Sequence, residues 1–412
     1  MKSNVITTLK NLIRIDSVNP FSTIELNNQQ IGKGNETRIM QYLERKLKRL
    51  GFKITKQIVQ KEIRFNNEKI ISKRYNLLAE KGEGDSLLLM GHVDTVEPKV
   101  GWTTYPFEPI EKEGKIYGLG ANDMKSGIAL ILESVKDFQP EGYKLKIAFV
   151  VDEEYWSFGT ERLIHSDFLT DVKALLVPEV DDSSTNSEKQ PIIIGRMGRT
   201  VYRFNLTGRS AHGAQARTNQ EAVNAIHESI KLQNELIRYC QECKKEFCLG
   251  DASITNSAYL SHQSGGDETI SIPDQASFIL DRSFVYGENI DQEIEILHKF
   301  VRDCYERGIL DSRVKVKIEE MRPTPHAEPY YVSFENSFLK LVTEKVDYIF
   351  GGHKYSFGYS VADENRIAKL GIPTIVLGPK GENCHAPNEW VDIENLKLLV
   401  ETYREIIEQF NK

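Results

Sequence analysis

Ser86-Leu-Leu-Leu-Met90-Gly-His92-Val-Asp94-Thr95 is the stretch on which the fold class turns. Four consecutive apolar residues with no polar alternation read as a strand buried on both faces, the pattern of a parallel sheet covered by helices. A histidine and an aspartate then alternate around a valine where the strand should end. Lys146-Ile-Ala-Phe-Val-Val151 repeats the pattern, and Asp152, Glu153 and Glu154 follow it at once. Between the two, Gly127 to Val135 reads as a helix, so the three segments form a β-α-β unit. Ligands of open α/β sheets bind outside the carboxyl ends of the strands. Acids and histidines far apart in sequence can therefore meet at one sheet edge.

Working outward, residues 35–50 place Ile39, Leu43, Leu47 and Leu50 at helical spacing, and Gly51 stops that helix. Toward the C-terminus the β-α character returns, with a strand at Thr374-Ile-Val-Leu-Gly378 and a last helix over 393–410. The middle differs. Residues 199–206 alternate like a half-exposed strand, 219–245 read as a long helix and 276–285 as a strand. A helix over 290–307 and the alternating strand Arg313-Val-Lys-Val-Lys-Ile318 follow. Strands with one wet face and two helices for the other predict a small α+β sandwich. The polar stretch Asp181 to Gln190 and the proline-rich Met321-Arg-Pro-Thr-Pro-His-Ala-Glu-Pro329 flank it. The expected organisation is a catalytic α/β domain with a mostly parallel central sheet (1–190 and 321–412), interrupted by an inserted α+β domain (191–320).

At 412 residues the chain exceeds one ordinary core. Hydrophobic residues at 40% and charged residues at 27% are a globular mix. The net charge of −7, with basic residues scattered among acids, offers no one-signed groove for nucleic acid or anionic lipid. No apolar run approaches the ~20 residues of a membrane span, and the first residues lack a signal-peptide core. Cytoplasmic localisation, with neither nucleic-acid nor membrane partner, is expected. Five cysteines, an odd number, argue against a disulfide framework. The run Cys240, Cys243, Cys248 lacks a nearby fourth zinc ligand.

Each chemistry-bearing segment has an ordinary reading alone. His92 and Asp94 can be a polar strand end, although a metal-bound imidazole usually donates its other N–H to a carboxylate, a part Asp94 could play. Tyr117-Gly-Leu-Gly-Ala-Asn-Asp-Met-Lys-Ser-Gly127 looks like a dinucleotide loop, yet Asp123 stands where such a loop needs glycine. That substitution points to a ligand in a tight turn, a candidate carboxylate shared by two metals. Asp152-Glu-Glu154 can be a solvated turn, but the acids follow the buried strand before any turn residue. Val177-Pro-Glu179 and Asn383-Cys-His385-Ala-Pro-Asn-Glu389 also follow apolar runs. Together, His92, His385, Asp123, Glu154 and Glu179 make an N/O donor set. Two zinc ions and three carboxylates leave one positive charge, which a bridging hydroxide would neutralise, as a two-metal hydrolase requires. Glu153, adjacent to a ligand, is the candidate general base.

These segments, in this order, resemble the zinc aminoacylase/carboxypeptidase family of acetylornithine deacetylase, succinyl-diaminopimelate desuccinylase, aminoacylase and carboxypeptidase G. The resemblance implies a di-zinc, exopeptidase-like catalytic domain with an inserted lid or dimerisation domain. It implies one zinc (or Co2+ or Mn2+) on His92 and Glu179 and another on Glu154 and His385, with Asp123 bridging. Asp94 would orient His92, and Glu153 would carry a proton from the attacking water to the leaving amine. Thr207-Gly-Arg-Ser-Ala-His-Gly213 looks like the family's histidine motif, which makes His212 an oxyanion stabiliser, often within a homodimer. Two positions depart from the pattern. Ile270 stands where many relatives have asparagine. Asp281-Arg282-Ser283 replaces Asp-x-Arg, so Arg282, the candidate clamp for a substrate carboxylate, is one position out of register. On a strand that turns it to the opposite face unless a bulge restores it. The implied reaction is hydrolysis of an N-acyl amino acid. A dipeptidase or carboxypeptidase uses the same chemistry, and a ureido or carbamoyl substrate fits it too. A non-catalytic protein of this fold should have lost a ligand or the base, and none is missing.

Overall fold

The structure, a computed structural model, describes residues 4–20, 36–65, 68–139, 141–180, 189–215, 218, 221–267, 270–322 and 324–411. Most of the polar stretch 181–190, expected as a linker, lies outside them. The chain forms two compact units, one of residues 1–196 with 330–412 and the other of residues 197–329. The boundaries, expected at 190/191 and 320/321, both lie further toward the C-terminus, at 196/197 and 329/330, for a physical reason. Strand Gln190–Arg196 pairs inside the first unit's sheet. Ala327, past the second unit's last strand, pairs with Arg199 of that unit.

The first unit is built on a nine-stranded sheet. Its order is Lys53–Phe65, Glu68–Gly82, Lys144–Val150, Ser86–His92, Val172–Val177, Thr374–Val376, Gln190–Arg196, Tyr330–Tyr331, with His353–Gly358 also on Gln190–Arg196. The four central strands run parallel, whereas the long hairpin at one edge and Tyr330–Tyr331 are antiparallel. Ser86–His92 is buried along its whole length, as an unbroken apolar run requires when helices cover both faces. The β-α-β helix, Lys125–Ser134, is buried at every position and packs against helices Val5–Ile13 and Ile393–Gln409. Asp392 caps the latter by accepting the Asn395 N–H at 2.8 Å, an end a carboxylate stabilises.

A smaller antiparallel sheet in the same unit has the order Gly381–Glu382, Trp390–Asp392, Lys115–Tyr117, Ile110–Lys112. It joins two distant parts of the chain. The strand at 115–117 feeds the glycine-rich loop that carries Asp123, and 381–382 and 390–392 bracket the loop that carries His385.

The second unit has a four-stranded antiparallel sheet, Ser257–Gly265, Gln275–Phe284, Gly198–Thr207, Lys315–Glu320. Burial alternates along Gly198–Thr207. Tyr202, Phe204 and Leu206 face inward with Phe278 and Leu280, against Leu232, Leu236, Leu297 and Val301 of helices Ala225–Glu242 and Glu293–Glu306. Phe204 and Phe278 stack at 4.7 Å. All five cysteines are free thiols. No helix among the described residues is long and apolar enough to cross a membrane.

Candidate active site

Three neighbouring parallel strands bring the first residues together. His92 ends Ser86–His92, Glu153 and Glu154 follow Lys144–Val150, and Glu179 follows Val172–Val177. Parallel strands lie roughly 4.8 Å apart, so their carboxyl ends deliver these side chains to one spot. Two glycines let Glu179 approach. A Cβ on Gly127 would lie 2.3 Å from the Pro178 carbonyl oxygen, and one on Gly378 would lie 1.9 Å from that of Glu179.

Asp123 and His385 arrive from the small sheet. Glu389 clasps the Asp123 loop by accepting N–H bonds from Gly120, Asn122 and Asp123 at 2.7, 2.8 and 2.9 Å. His385 sits at φ 59°, a left-handed conformation costly for a non-glycine residue.

The two oxygens of Asp123 face two separate groups. Oδ1 is 2.9 Å from His92 Nε2, which is 3.2 Å from a Glu179 oxygen. Oδ2 is 3.2 Å from His385 Nε2, which is 2.8 Å from a Glu154 oxygen. His92 Nδ1, on the far side of its ring, lies 3.5 Å from Asp94 Oδ1. Asp94 also accepts the backbone N–H groups of Glu153 and Glu154, both at 3.2 Å. All five expected ligands, with Asp94 and the backbone of Glu153, thus converge.

The charges conflict unless something positive joins them. Burial pushes the Glu154 carboxyl up to about 7, with the Asp123 charge adding to it. Burial likewise raises Glu153 and Glu179. His385 is raised to about 11 by its contacts with Asp123 and Glu154. Burial opposes the charged form of His92, yet Glu179, Asp123 and Asp94 together raise it well above the usual imidazole range. Protons are retained where carboxylates crowd. Glu154 Oε1 is buried and makes no hydrogen bond among the described residues. Such a donor set, with each histidine Nε2 2.8–3.2 Å from two carboxylate oxygens, fits divalent cations held at roughly 2.0–2.2 Å.

Arg282 does not stay available as a clamp. The pairing of Gln275–Phe284 with Gly198–Thr207 runs without a bulge, so Arg282 keeps the helix-covered face with Phe278, Leu280 and Phe284. Its guanidinium is buried and held by Glu293 at 3.1 Å and Glu288 at 3.4 Å. His212 lies in the second unit, exposed, with Nδ1 accepting the Ala214 N–H at 3.2 Å.

Sequence reasoning missed a supporting group. Asn19 donates to Asp94 at 2.7 Å and to Asp152 at 3.0 Å, and Arg74 pairs with Asp152 at 2.8 Å and Glu36 at 3.0 Å. No local pattern marks Asn19 or Arg74. Glu389 stands four residues after His385 in the same loop, and an acid at that place was the only signal in the sequence.

The sequence and the fold are similar to those of known proteins. The description "Peptidase family M20/M25/M40" matches residues 88–409. A curated succinyl-diaminopimelate desuccinylase of Nautilia profundicola is 24% identical over 99% of this chain and 100% of its own. Among solved structures, a tripeptidase from Staphylococcus aureus superposes with a TM-score of 0.73 at 21% identity, covering 99% of both chains. A Bacillus subtilis protein described as a dinuclear metal binding peptidase from the M20 family superposes at 0.62 with 15% identity, covering 98% of this chain and 96% of that one. At such identities the structural likeness establishes the fold, and the family rests on the match across most of the sequence. The chain belongs to peptidase family M20/M25/M40 and is a metal-dependent hydrolase of amide or peptide bonds.

Proposed function

We propose that this hydrolase cleaves the linear amide of an N-acyl amino acid on a two-zinc centre, releasing a carboxylic acid and a free amine. The observation that carries the reading is the division of Asp123 between two histidine–carboxylate pairs. His92 and Glu179 would hold one ion, Glu154 and His385 the other, and Asp123 both. Zn2+ suits this mixed imidazole and carboxylate set, and Co2+ or Mn2+ can replace it. When bound, the ions polarise the scissile carbonyl and acidify the attacking water.

The chain's own residues do the rest. Glu153, raised by burial, takes a proton from the attacking water and returns it to the leaving amine. Asp94 fixes the His92 ring and, through two backbone N–H groups, the direction in which Glu153 and Glu154 leave their strand. His212 is assigned the stabilisation of the developing oxyanion, and His212→Ala should lower turnover more than metal content. A cytoplasmic homodimer is the assembly in which we expect it to act.

The curated relative's name supports an acylated amino acid as substrate. The burial of Arg282 among Glu288 and Glu293 favours a second reading, in which no arginine at this position reads the α-carboxylate and dipeptides are accepted. The deciding experiment is turnover of zinc- or cobalt-loaded protein against N-acetyl and N-succinyl amino acids beside simple dipeptides. Preference for one acyl amino acid is expected. Turnover of dipeptides alone would replace the deacylase reading with a dipeptidase.

A further inference from the structure

Glu153 and Glu154 leave strand Lys144–Val150 on a loop, residues 151–157, that leads into helix Phe158–Ile164. Glu153 to Trp156 are turn residues, outside any ladder that would fix where their side chains point. Asp152, just before them, has φ 71°, a left-handed conformation uncommon for a residue with a side chain. The groups that hold this loop come from the neighbouring strand.

Strand Glu68–Gly82 runs antiparallel to Lys144–Val150, and their ladder ends at Leu77 opposite Phe149. Continuing that register sets Asn76 beside Val150 and Arg74 beside Asp152. Residues two apart on a strand share a face, and both of these are buried. Asn76 grips the two ends of the loop. Its Oδ1 accepts the Val151 N–H at 3.3 Å, and its Nδ2 donates to the Gly159 carbonyl at 2.8 Å. Gln57, its cross-strand neighbour, accepts from the same Nδ2 at 2.8 Å and so fixes which way the amide faces. The Gly159 N–H donates to the Val151 carbonyl at 3.2 Å, and a Cβ on Gly159 would lie 2.3 Å from that oxygen. The ends of the loop are closed to the limit of contact.

Arg74 takes Asp152. One guanidinium nitrogen lies 2.8 Å from Asp152 Oδ1 and another 3.0 Å from Glu36. Asp152 Oδ2 accepts the Phe158 N–H at 3.2 Å, and its carbonyl accepts the Ser157 N–H at 2.6 Å. This one residue thus closes the loop onto the start of the helix. Asn19 joins Asp152 to Asp94 through a single NH2 group, at 3.0 and 2.7 Å. Asp94 in turn accepts the N–H groups of Glu153 and Glu154. The backbone anchors of both acids lead back, through Asn19 and Asp152, to Arg74.

We propose that Arg74 and Asn76 are positioning residues for the hydrolysis, clasping the loop so that Glu153 is aimed at the attacking water and Glu154 is held beside Asp123 and His385. The proposal rests on the base and ligand roles given to those two acids above. The clasp acts through Val151, Asp152 and Gly159. Its loss should therefore lower kcat with little change in KM, and should weaken metal binding by loosening one ligand.

The test uses the full-length chain. Wild type, Arg74→Met, Asn76→Leu and Glu153→Gln are titrated with Co2+ followed by visible absorption, and assayed on the best substrate among acyl amino acids and dipeptides. Arg74→Met and Asn76→Leu should each lower kcat at least tenfold with KM within about threefold of wild type, since a misplacement of about 1 Å can cost roughly 100-fold. Each should also weaken Co2+ binding at least tenfold. Arg74→Lys, which keeps the charge and loses the fork, should recover part of the kcat lost in Arg74→Met. A merely structural role would lower the melting temperature and leave kcat per folded molecule and Co2+ affinity at wild-type values. That result in either folded variant overturns the role given to its residue. Glu153→Gln separates the clasp from the reading beneath it. If Glu153→Gln turns over like wild type, the base assignment falls and the clasp with it. If it is inactive while both clasp variants match wild type, the clasp alone is overturned. Should circular dichroism show Arg74→Met to be unfolded, Arg74→Lys is judged in its place, with at least threefold lower kcat expected and equality with wild type overturning.

Discussion

Single atoms decide most of the chemistry. Glu153 and Glu154 are neighbours, yet Glu154 reaches His385 while Glu153 is raised by burial and by the charges of Asp363, Glu154 and Glu179. Glu153→Gln should therefore keep its metal content while turnover falls about 10²–10⁴-fold, the usual weight of a general base. Equal loss of metal and turnover would make Glu153 a ligand. Glu389 acts one step back from the chemistry. Glu389→Ala leaves three buried N–H groups without their acceptor, each costing on the order of 1–3 kcal/mol if nothing replaces it. The expected result is a lower melting temperature and at least tenfold weaker metal binding, although no ligand has been touched. Metal titration and thermal unfolding of the same variant check it. Arg282 shows the opposite case, where a plausible functional side chain was spoken for by two buried acids.

Elements matter here through how closely they approach. Helix Lys125–Ser134 lies so near the Val172–Val177 strand exit that Gly127 has no room for a methyl group. Gly127→Ala should push Pro178 and with it Glu179, so affinity for divalent metal should fall at least tenfold with helix content unchanged. Retention of wild-type affinity would mean that the strand exit can yield. At the other end of the same strands, Asp171 pairs with Lys144 at 2.8 Å and with the buried Lys146. These contacts oppose the modest burial and hold Asp171 down at about 2, below its ordinary 3.8. A depressed carboxyl stabilises the fold above its unfolded pKa, and that contribution is lost as pH falls from about 4 through 2. Asp171→Asn should flatten the acid limb of a stability–pH curve in that window. Because the carboxyl is partly exposed, the effect should be on the order of 1 kcal/mol.

The whole molecule rests on two separate cores. The second unit is one uninterrupted stretch, 197–329, with its own cluster around Phe204, Phe278 and Leu297. Expressed alone, that stretch should unfold cooperatively, as seen by calorimetry, and should lack amide-hydrolase activity. A stretch that shows no transition would mean its stability depends on the rest of the chain. The first unit is split in sequence, and its candidate site draws on both parts, since His385 comes from the return segment. Chelation should therefore abolish turnover without unfolding the second unit's core.

The parallel core and the ligand types were legible because an unbroken apolar run states burial on both faces, and because acids that follow such a run leave at the sheet's carboxyl edge. Asp123 was legible from an acid standing where a phosphate loop needs glycine. The alternation around Arg282 also stated its face correctly once no bulge intervened. The long hairpin, the small sheet joining Asp123 to His385, and the Asn19–Arg74 support were not legible. Their strands pair with partners far away in sequence, and polar residues such as Asn19 look the same locally whether they are solvated or buried. Sequence alone thus marked candidate side chains for the chemistry and the strand ends that carry them. Only tertiary structure decided which oxygen of Asp123 faces which histidine and which charges were already paired, because those depend on contacts between segments whose local patterns hold no record of one another.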